Sequence, residues 1–267
     1  MNLLTHYAGA QRPVETCVVG SGGFGRSFLA QALRIPLVKC RVAVDRELRE
    51  LIVSGSLPPG QRITERLVSD QLEGMSRTPL REAFKILEAE GLVRIEPNRG
   101  AVVTALSVDE VAAAIEVLIG LETLAAEPAC ERITDAGIAA IEELHARMEQ
   151  AWRDGDLMAY FRLNQTIHQR MVDAAGNPVL SRIYASECAR IQRYRFAGNQ
   201  QHARWERAVQ EHATMLDALR HRAGAVLREL LRQHHRNGWV VSRQVLQTRE
   251  VEPVSVRLSR GSPRRPH

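Results

Sequence analysis

The stretch Ser76-Arg-Thr-Pro-Leu-Arg-Glu-Ala-Phe84 decides the fold of the N-terminal half of this chain. Its apolar residues recur at helical spacing, and Pro79 falls in the first turn, where a helix tolerates proline because the backbone donors lack intrahelical partners. The helix carries Arg77, Arg81 and Lys85 at intervals of four residues from its N-terminal end. Basic residues in front of an apolar face are typical of a helix that enters the major groove of DNA.

The residues before this helix predict two more helices in a domain that spans residues 41–105. An apolar stripe between Val42 and Ile52 predicts a first helix, which ends at Ser54-Gly55. Thr64 can cap a short second helix that ends near Leu72. Three short helices in succession are typical of a helix-turn-helix domain.

The residues after this helix predict a hairpin. Gly91 ends the helix, and residues 92–95 and 101–103 have the pattern of two short strands. Pro97-Asn98-Arg99-Gly100 forms the turn between them. Three helices followed by a hairpin predict a winged helix-turn-helix.

Hydrogen-bonding side chains around the third helix are candidate DNA contacts. Arginine is best shaped to bond both acceptors on a guanine edge, and serine or threonine can reach phosphate. The alternative is a basic helix face that is merely solvated, and the turn, the caps and the wing favour DNA contact over it. The candidates from this reasoning are Arg66, Ser76, Arg77, Thr78, Arg81, Lys85 and Arg99.

Residues 52–60, 76–84 and 87–93, together with Gly100, closely resemble the DNA-binding domain of the GntR family of bacterial transcription regulators. The resemblance covers about residues 41–105. It implies that the family's DNA-contacting positions are Arg66, Ser76, Arg77 and Arg81, and that the wing Asn98–Gly100 reaches the minor groove. It also implies a homodimer that binds a palindromic operator.

Long helical patterns without a convincing strand follow Ser107, so residues 106–247 are predicted to form an antiparallel all-α bundle. The predicted fold class is therefore mainly α, with a winged helix-turn-helix followed by a helical bundle. The helices are expected to break at Thr134-Asp135, Asp154-Gly155, Gly176–Pro178, Gly198-Asn199 and His221–Gly224.

Four residues of the bundle form a candidate metal site. Asn164 and His168 are four residues apart and share a helix face, while His212 and His234 lie on two later predicted helices. Three imidazoles and one oxygen can coordinate a divalent transition metal. By spacing alone, a surface or capping role is the better interpretation of the Asn/His pair.

Residues 162–168, 211–219 and 230–234 resemble the effector domain of the FadR-like branch of the family, the FCD domain. The resemblance implies that Asn164, His168, His212 and His234 bind zinc, nickel or manganese, with His235 competing for the last position. It also implies that the metal helps to hold a small effector, typically a carboxylate.

Two departures from the pattern of the branch concern this effector site. Asn164 stands where aspartate is more usual, and Leu118 stands where many relatives have an arginine that meets the carboxylate. Either the effector is less acidic than in those relatives, or another cation, from Arg190, Arg193 or Arg195, meets its carboxylate. The alternative for these three arginines is a solvated helix surface.

Charge and composition define the two ends of the chain. The net charge of +5 is concentrated in residues 1–40 and 249–267, each with a surplus of three positive charges. No apolar run reaches the roughly 18 residues that a membrane span needs, so no membrane partner is expected. Met1–Cys17 lacks the pattern of a secretion signal, so a cytoplasmic protein is expected. The four cysteines have no paired spacing, which indicates reduced packing residues. Residues 248–267 are predicted to be a disordered basic tail.

Gly20, Gly22 and Gly25 have the spacing of a dinucleotide-binding loop. Such a loop works inside a βαβ unit, but the chain after Leu37 continues into the first helix of the DNA-binding domain. Residues 1–40 are therefore interpreted as a flexible extension.

The function predicted from the sequence is a metabolite-responsive transcription regulator and not an enzyme. Two alternatives remain: a metal-dependent enzyme that uses Asn164 and the three histidines, and a nicotinamide-dependent oxidoreductase that uses Gly20–Gly25.

Overall fold

The structure is a computed structural model of the chain and describes residues 41–64, 66–68, 77–199 and 202–251. The predicted extension 1–40, with its Gly20–Gly25 motif, lies outside the described residues, as does Ser76. Most of the predicted tail 248–267 also lies outside them, and its first residues extend the last helix to Val251. None of the described helices is long and apolar enough to cross a membrane.

The N-terminal part of the described chain contains helices and a small antiparallel sheet. Its elements are α1 (Arg41–Ser54), β1 (Arg62–Ile63), α2 (Arg77–Ala89), β2 (Val93–Glu96) and β3 (Gly100–Val103), and residues 66–68 are also helical. The strand order is β1-β3-β2, with Arg62 opposite Val102 and Glu96 opposite Gly100. The predicted hairpin is confirmed. Strand β1 was not predicted, because its two residues are too few to show the alternating pattern of a strand.

The apolar faces of α1 and α2 form the core of this part. Val44, Leu48 and Ile52 of α1 are buried, and so are Phe84 and Leu87 of α2. These are the positions that the helical spacing predicts to face inward. Because this face of α2 is buried, its other face is left to carry the basic residues.

The C-terminal part consists of long helices with capped ends. These are α3 (Val108–Arg132), α4 (Asp135–Arg153), α5 (Leu157–Ala174), α6 (Pro178–Gly198), α7 (His202–Arg220) and α8 (Gly224–Val251). Thr134, Asp156 and Asn177 accept hydrogen bonds from backbone N–H groups at the starts of α4, α5 and α6. Ser107 and Glu110 form a reciprocal capping box at the start of α3. The mainly α fold, a winged helix-turn-helix followed by an all-α bundle, is as predicted.

Helix α8 brings polar side chains of several helices into one buried cluster. It packs against α3, α6 and α7, while α5 packs against α3 and α6. The buried polar residues that meet there are Glu122, Asn164, His168, His212, His234 and His235. Burying such groups is costly unless they are paired or bind a ligand, so this cluster is the candidate site of the domain.

Candidate metal centre and DNA-binding surface

An open groove of ≈ 600 Å³ on the N-terminal part lies between α2 and the turn that joins β2 to β3. The predicted DNA contacts that line it are Arg66, Arg81, Lys85, Asn98, Arg99 and Gly100. Arg77 and Thr78 form the first turn of α2, and Ser76 lies outside the described residues. The fold thus brings basic and polar side chains from three chain segments to one concave face.

The turn between β2 and β3 depends on two residues with positive φ, Asn98 at 61° and Gly100 at 87°. A Cβ atom at Gly100 would lie 2.2 Å from the carbonyl oxygen of Ile63. Gly100 therefore shapes the wing, because any side chain there would collide with the backbone of β1.

Three imidazole rings from three helices meet inside the C-terminal part. They belong to His168 of α5, His212 of α7 and His234 of α8, and their centroids are 4.8–5.0 Å apart. Asn164 lies one turn before His168 and is also buried. The fold therefore brings together the residues that the sequence predicts as metal ligands.

The histidine cluster has the properties of a divalent metal site. Both ring nitrogens of His212 are buried and have no hydrogen-bond partner among the described residues. The Nε2 atoms of His168 and His234 are 3.3 Å apart, and two nitrogens that bind one tetrahedral ion at about 2.0–2.1 Å lie about that far apart. A metal ion would satisfy nitrogens that are otherwise unpaired in the core, so the residues fit a metal.

Two carboxylates lie on the outer side of these imidazoles. The Glu211 Oε2 atom is 2.6 Å from His234 Nδ1, and the Glu122 Oε1 atom is 3.1 Å from His168 Nδ1. The second contact is close but lacks the alignment of a hydrogen bond. A carboxylate on one nitrogen of an imidazole orients the other nitrogen toward a metal. Neither carboxylate is among the predicted site residues.

His235 contacts the Glu122 carboxylate, and its ring lies 5.2 Å from that of His168, beside the three-histidine cluster. The hydroxyl of Tyr184 donates to Oε1 of Glu122, and His235 Nε2 lies 2.5 Å from Oε2. Burial alone would raise the pKa of Glu122, but His168 and His235 hold that pKa well below its ordinary value. Glu122, His168 and His235 also have ligand atoms within 4.8 Å of one another. Since Glu122 already has these partners, the three-histidine set is the better candidate.

Burial also controls the charge of the histidines. It lowers the pKa of His212 well below 6.5, and the neighbouring His168 lowers it further. The pKa of His234 is lowered in the same direction by burial and by His212. Both imidazoles are therefore neutral at pH 7, which is the form that binds a metal.

The three arginines predicted for the effector lie in different surroundings. Arg195 lines a small cavity together with Asn164 and His234. Arg190 pairs with Glu187 at 3.3 Å, and Arg193 donates to the carbonyl oxygen of Leu57 at 3.5 Å. Of the three, only Arg195 lines the cavity next to the cluster.

Sequence reasoning missed Arg204, which lines the same cavity from α7. Its Nη2 atom pairs with Glu211 at 3.1 Å, and its side chain is buried. The available signal was its position seven residues before Glu211, which places both residues on one face of the helix.

Comparisons with known proteins identify the class of this protein. A family model described as bacterial regulatory proteins of the gntR family matches residues 41–103, and the FCD domain model matches residues 113–237. A transcriptional regulator from the TAR-I ttuE-ttuC' intergenic region of Agrobacterium vitis is 33% identical over 134 residues, which cover 48% of this chain and 77% of the relative. The chain belongs to the GntR family of transcription regulators and carries an FCD domain.

Further relatives differ in how much of their length the chain spans. The transcriptional repressor RspR of Escherichia coli K12 is 27% identical over 189 residues, 71% of this chain and 82% of the relative. YdhC of Bacillus subtilis is 31% identical over 132 residues, 49% of this chain and 58% of the relative. The solved structure of E. coli McbR/YncC has a TM-score of 0.67 at 21% identity, covering 76% of this chain and 97% of that one. This last similarity supports the fold.

Proposed function

We propose that this protein is a homodimer that reads a palindromic operator and that a small molecule bound beside a metal modulates its DNA binding. In each half-site, Arg77 and Arg81 would read base edges from the major groove, and Arg66 would bind phosphate. Asn98–Gly100 would reach the adjacent minor groove. The groove between α2 and the wing supports this assignment because it gathers Arg66, Arg81 and the wing on one face.

The metal would be a divalent transition ion held by His168, His212 and His234 with the side-chain oxygen of Asn164. The observation that carries this part of the proposal is the buried imidazole of His212, whose two nitrogens have no partner among the described residues. When bound, such an ion attracts the oxygen atoms of a ligand as a Lewis acid. The protein supplies neutral imidazoles, and Glu122 and Glu211 orient them.

We propose a regulator and not an enzyme. The relatives compared above carry the names of transcription regulators. The buried histidine cluster is suited to hold a ligand, and the effect of that ligand would reach DNA through the contacts between the two parts of the chain.

Metal analysis tests the metal centre. We expect the wild-type protein, purified without chelators and incubated with zinc, nickel or manganese, to carry close to one ion per chain. His212→Ala should lower the metal content to near zero while the protein still binds its operator, because the ligands lie outside the DNA-binding part. Asn164→Asp should retain or increase the metal content, since it adds a charged oxygen ligand.

His221→Ala is the matched control, because His221 is exposed and follows the same helix as His212. It should carry as much metal as the wild type. Near-zero metal in every variant, wild type included, would contradict the metal centre. A monomeric mass in solution would contradict the homodimer.

A further inference from the structure

The three-histidine cluster is closed to solvent. His168, His212 and His234 are 0%, 1% and 5% exposed. A divalent ion is strongly hydrated, and moving a bare charge through apolar packing is very costly. An ion that reaches this cluster therefore needs a route along which protein ligands replace its water molecules.

Two sides of the cluster are poor routes for a cation. The neighbouring cavity carries the guanidinium groups of Arg195 and Arg204, which repel a positive ion. Arg204 also pairs with Glu211 at 3.1 Å, so the charge of that carboxylate is already balanced. Behind His168, Glu122 and His235 are both buried and do not open to solvent.

A row of residues with metal-binding side chains leads from the surface of α4 to the cluster. Glu149 and His145 are four residues apart on one face of α4, and their side chains are 33% and 11% exposed. Helix α4 packs against α7, where the ring of His212 lies nearly parallel to that of His145, with centroids 6.5 Å apart. Exposure therefore decreases stepwise from Glu149 through His145 to His212.

The hydrogen bond of His145 leaves its other ring nitrogen on the side of Glu149. Its Nε2 atom lies 3.3 Å from the carbonyl oxygen of Val209. A carbonyl oxygen can only accept, so Nε2 carries the proton and Nδ1 keeps the lone pair that binds a metal. Nδ1 is 3.9 Å from Oε1 of Glu149, too far for a hydrogen bond, while Arg153 pairs with Oε2 at 3.3 Å. Two atoms that each lie about 2.0–2.2 Å from one ion can be as far apart as Nδ1 and Oε1 are, so a divalent ion fits between them.

We propose that Glu149 and His145 form an entry site, where a divalent ion binds before it passes to His212 and into the three-histidine cluster. The proposal rests on the proposed function, in which that cluster holds a metal. At each step the ion exchanges one ligand for the next, so its charge is never left without donors. Two protein ligands hold an ion more weakly than the full set of the cluster does, so the ion moves inward.

An entry site of this kind changes rates without changing affinity. It lowers the barrier between the free and the bound ion, and the ion crosses that same barrier in both directions. Loss of the entry site should therefore slow uptake and release by the same factor. A residue with only a structural role would instead change the stability of the fold or the affinity for the metal, because it acts on the bound state itself.

The test follows zinc exchange of the full-length protein by rapid mixing with a coloured chelator. We expect His145→Phe, which keeps an aromatic ring but lacks a ligand nitrogen, to take up and release zinc about tenfold more slowly, with an affinity within about twofold of the wild type. Glu149→Gln should slow both rates about threefold, because it removes the anionic ligand that first meets the ion. Glu143→Gln is the matched control, since Glu143 is an exposed acidic residue of the same helix, and it should exchange zinc at wild-type rates.

Glu149→Gln keeps the proposal testable where His145→Phe disturbs the packing of α4, because the side chain of Glu149 is partly exposed. Wild-type rates in both variants, or faster release at unchanged uptake, would overturn the entry site and leave the metal centre in place. A wild-type protein that binds no zinc would contradict the metal centre, and the entry site with it.

Discussion

His234 is held by contacts on both sides of its ring. Its Nε2 atom faces His168 at 3.3 Å, and its Nδ1 atom lies 2.6 Å from Glu211. Glu211 in turn accepts a hydrogen bond from Asn237 and pairs with Arg204. This chain of contacts fixes which nitrogen of His234 is available to a metal.

Glu211→Gln should therefore weaken metal binding without removing a ligand. We expect the affinity for zinc to fall about 10- to 100-fold, as is usual when the carboxylate behind a ligating histidine is lost. Competition with a coloured chelator measures this change. Glu206→Gln, an exposed neighbour on α7, should bind zinc as tightly as the wild type. Equal affinity in all three proteins would contradict the orienting role of Glu211.

Gly100 is one of the two residues with positive φ that shape the wing, and it is the one packed against the backbone of Ile63. Gly100→Ala would force a side chain into a positive φ of 87° and against the carbonyl oxygen of Ile63. We expect a loss of about 1–3 kcal/mol in the free energy of unfolding of the N-terminal part, together with weaker operator binding. Thermal denaturation and a DNA-binding titration measure the two effects.

Gly120→Ala is the control for this prediction. Gly120 lies inside helix α3 with open space around it, so alanine should be neutral or slightly stabilising. If Gly100→Ala melted at the wild-type temperature, the close approach of the wing to Ile63 would be wrong.

Substitutions of Arg81 in α2 and of Arg66 should have different effects, one on the base preference and the other on the affinity for all sequences. Arg81→Ala is expected to relax the preference at one base position in each half-site, at a cost of about 1–3 kcal/mol. Arg66→Ala should weaken binding to all sequences alike, because a phosphate contact carries no base information. Selection from a random DNA pool by each variant shows the difference. Unchanged sequence preference and affinity after the double substitution Arg77→Ala/Arg81→Ala would refute the assignment of the recognition helix.

The two parts of the chain meet through the same helices that carry the buried site. Phe161 of α5 packs with Val53 of α1 and with Phe196 of α6, whose ring it meets edge-on at 5.2 Å. Asn164 follows Phe161 by about one helical turn, and Arg195 directly precedes Phe196. A change at the metal or the cavity therefore acts on helices that directly contact the DNA-binding part.

Phe161→Leu should uncouple metal binding from DNA binding. In the wild type we expect a chelator to change the operator affinity by a factor in the range of about 5–150 that is typical of coupled sites. In Phe161→Leu, the ratio of operator affinities with and without chelator should approach one, while the metal content stays normal. Binding titrations use an operator selected by the wild type. The exposed residue Val179 provides the control variant Val179→Ala. If the chelator changed the operator affinity of Phe161→Leu as much as that of the wild type, coupling through the Phe161 contacts would be ruled out.

Local signals account for the parts of the fold that were predicted well. Thr134, Asn177 and Gly91 act on the backbone within a few residues of themselves, so helix ends can be inferred without knowledge of the packing. The apolar spacing of α2 likewise determines its buried face. The Asn164/His168 pair is visible for the same reason, because a spacing of four residues is a local property of a helix.

Only the packing of the helices decided which polar residues share the buried site. Glu122 and His235 are 113 positions apart and meet because α3 and α8 pack together. Arg204 shares a helix face with Glu211, but this spacing alone does not show that it is buried. The tertiary structure places it in a cavity, where two of its donors have no partner among the described residues. The cost of burying a polar group depends on its neighbours in space, whereas residue spacing reports only neighbours along the chain. The helices and their ends therefore follow from the sequence, while the partners of the buried charges follow from the tertiary structure.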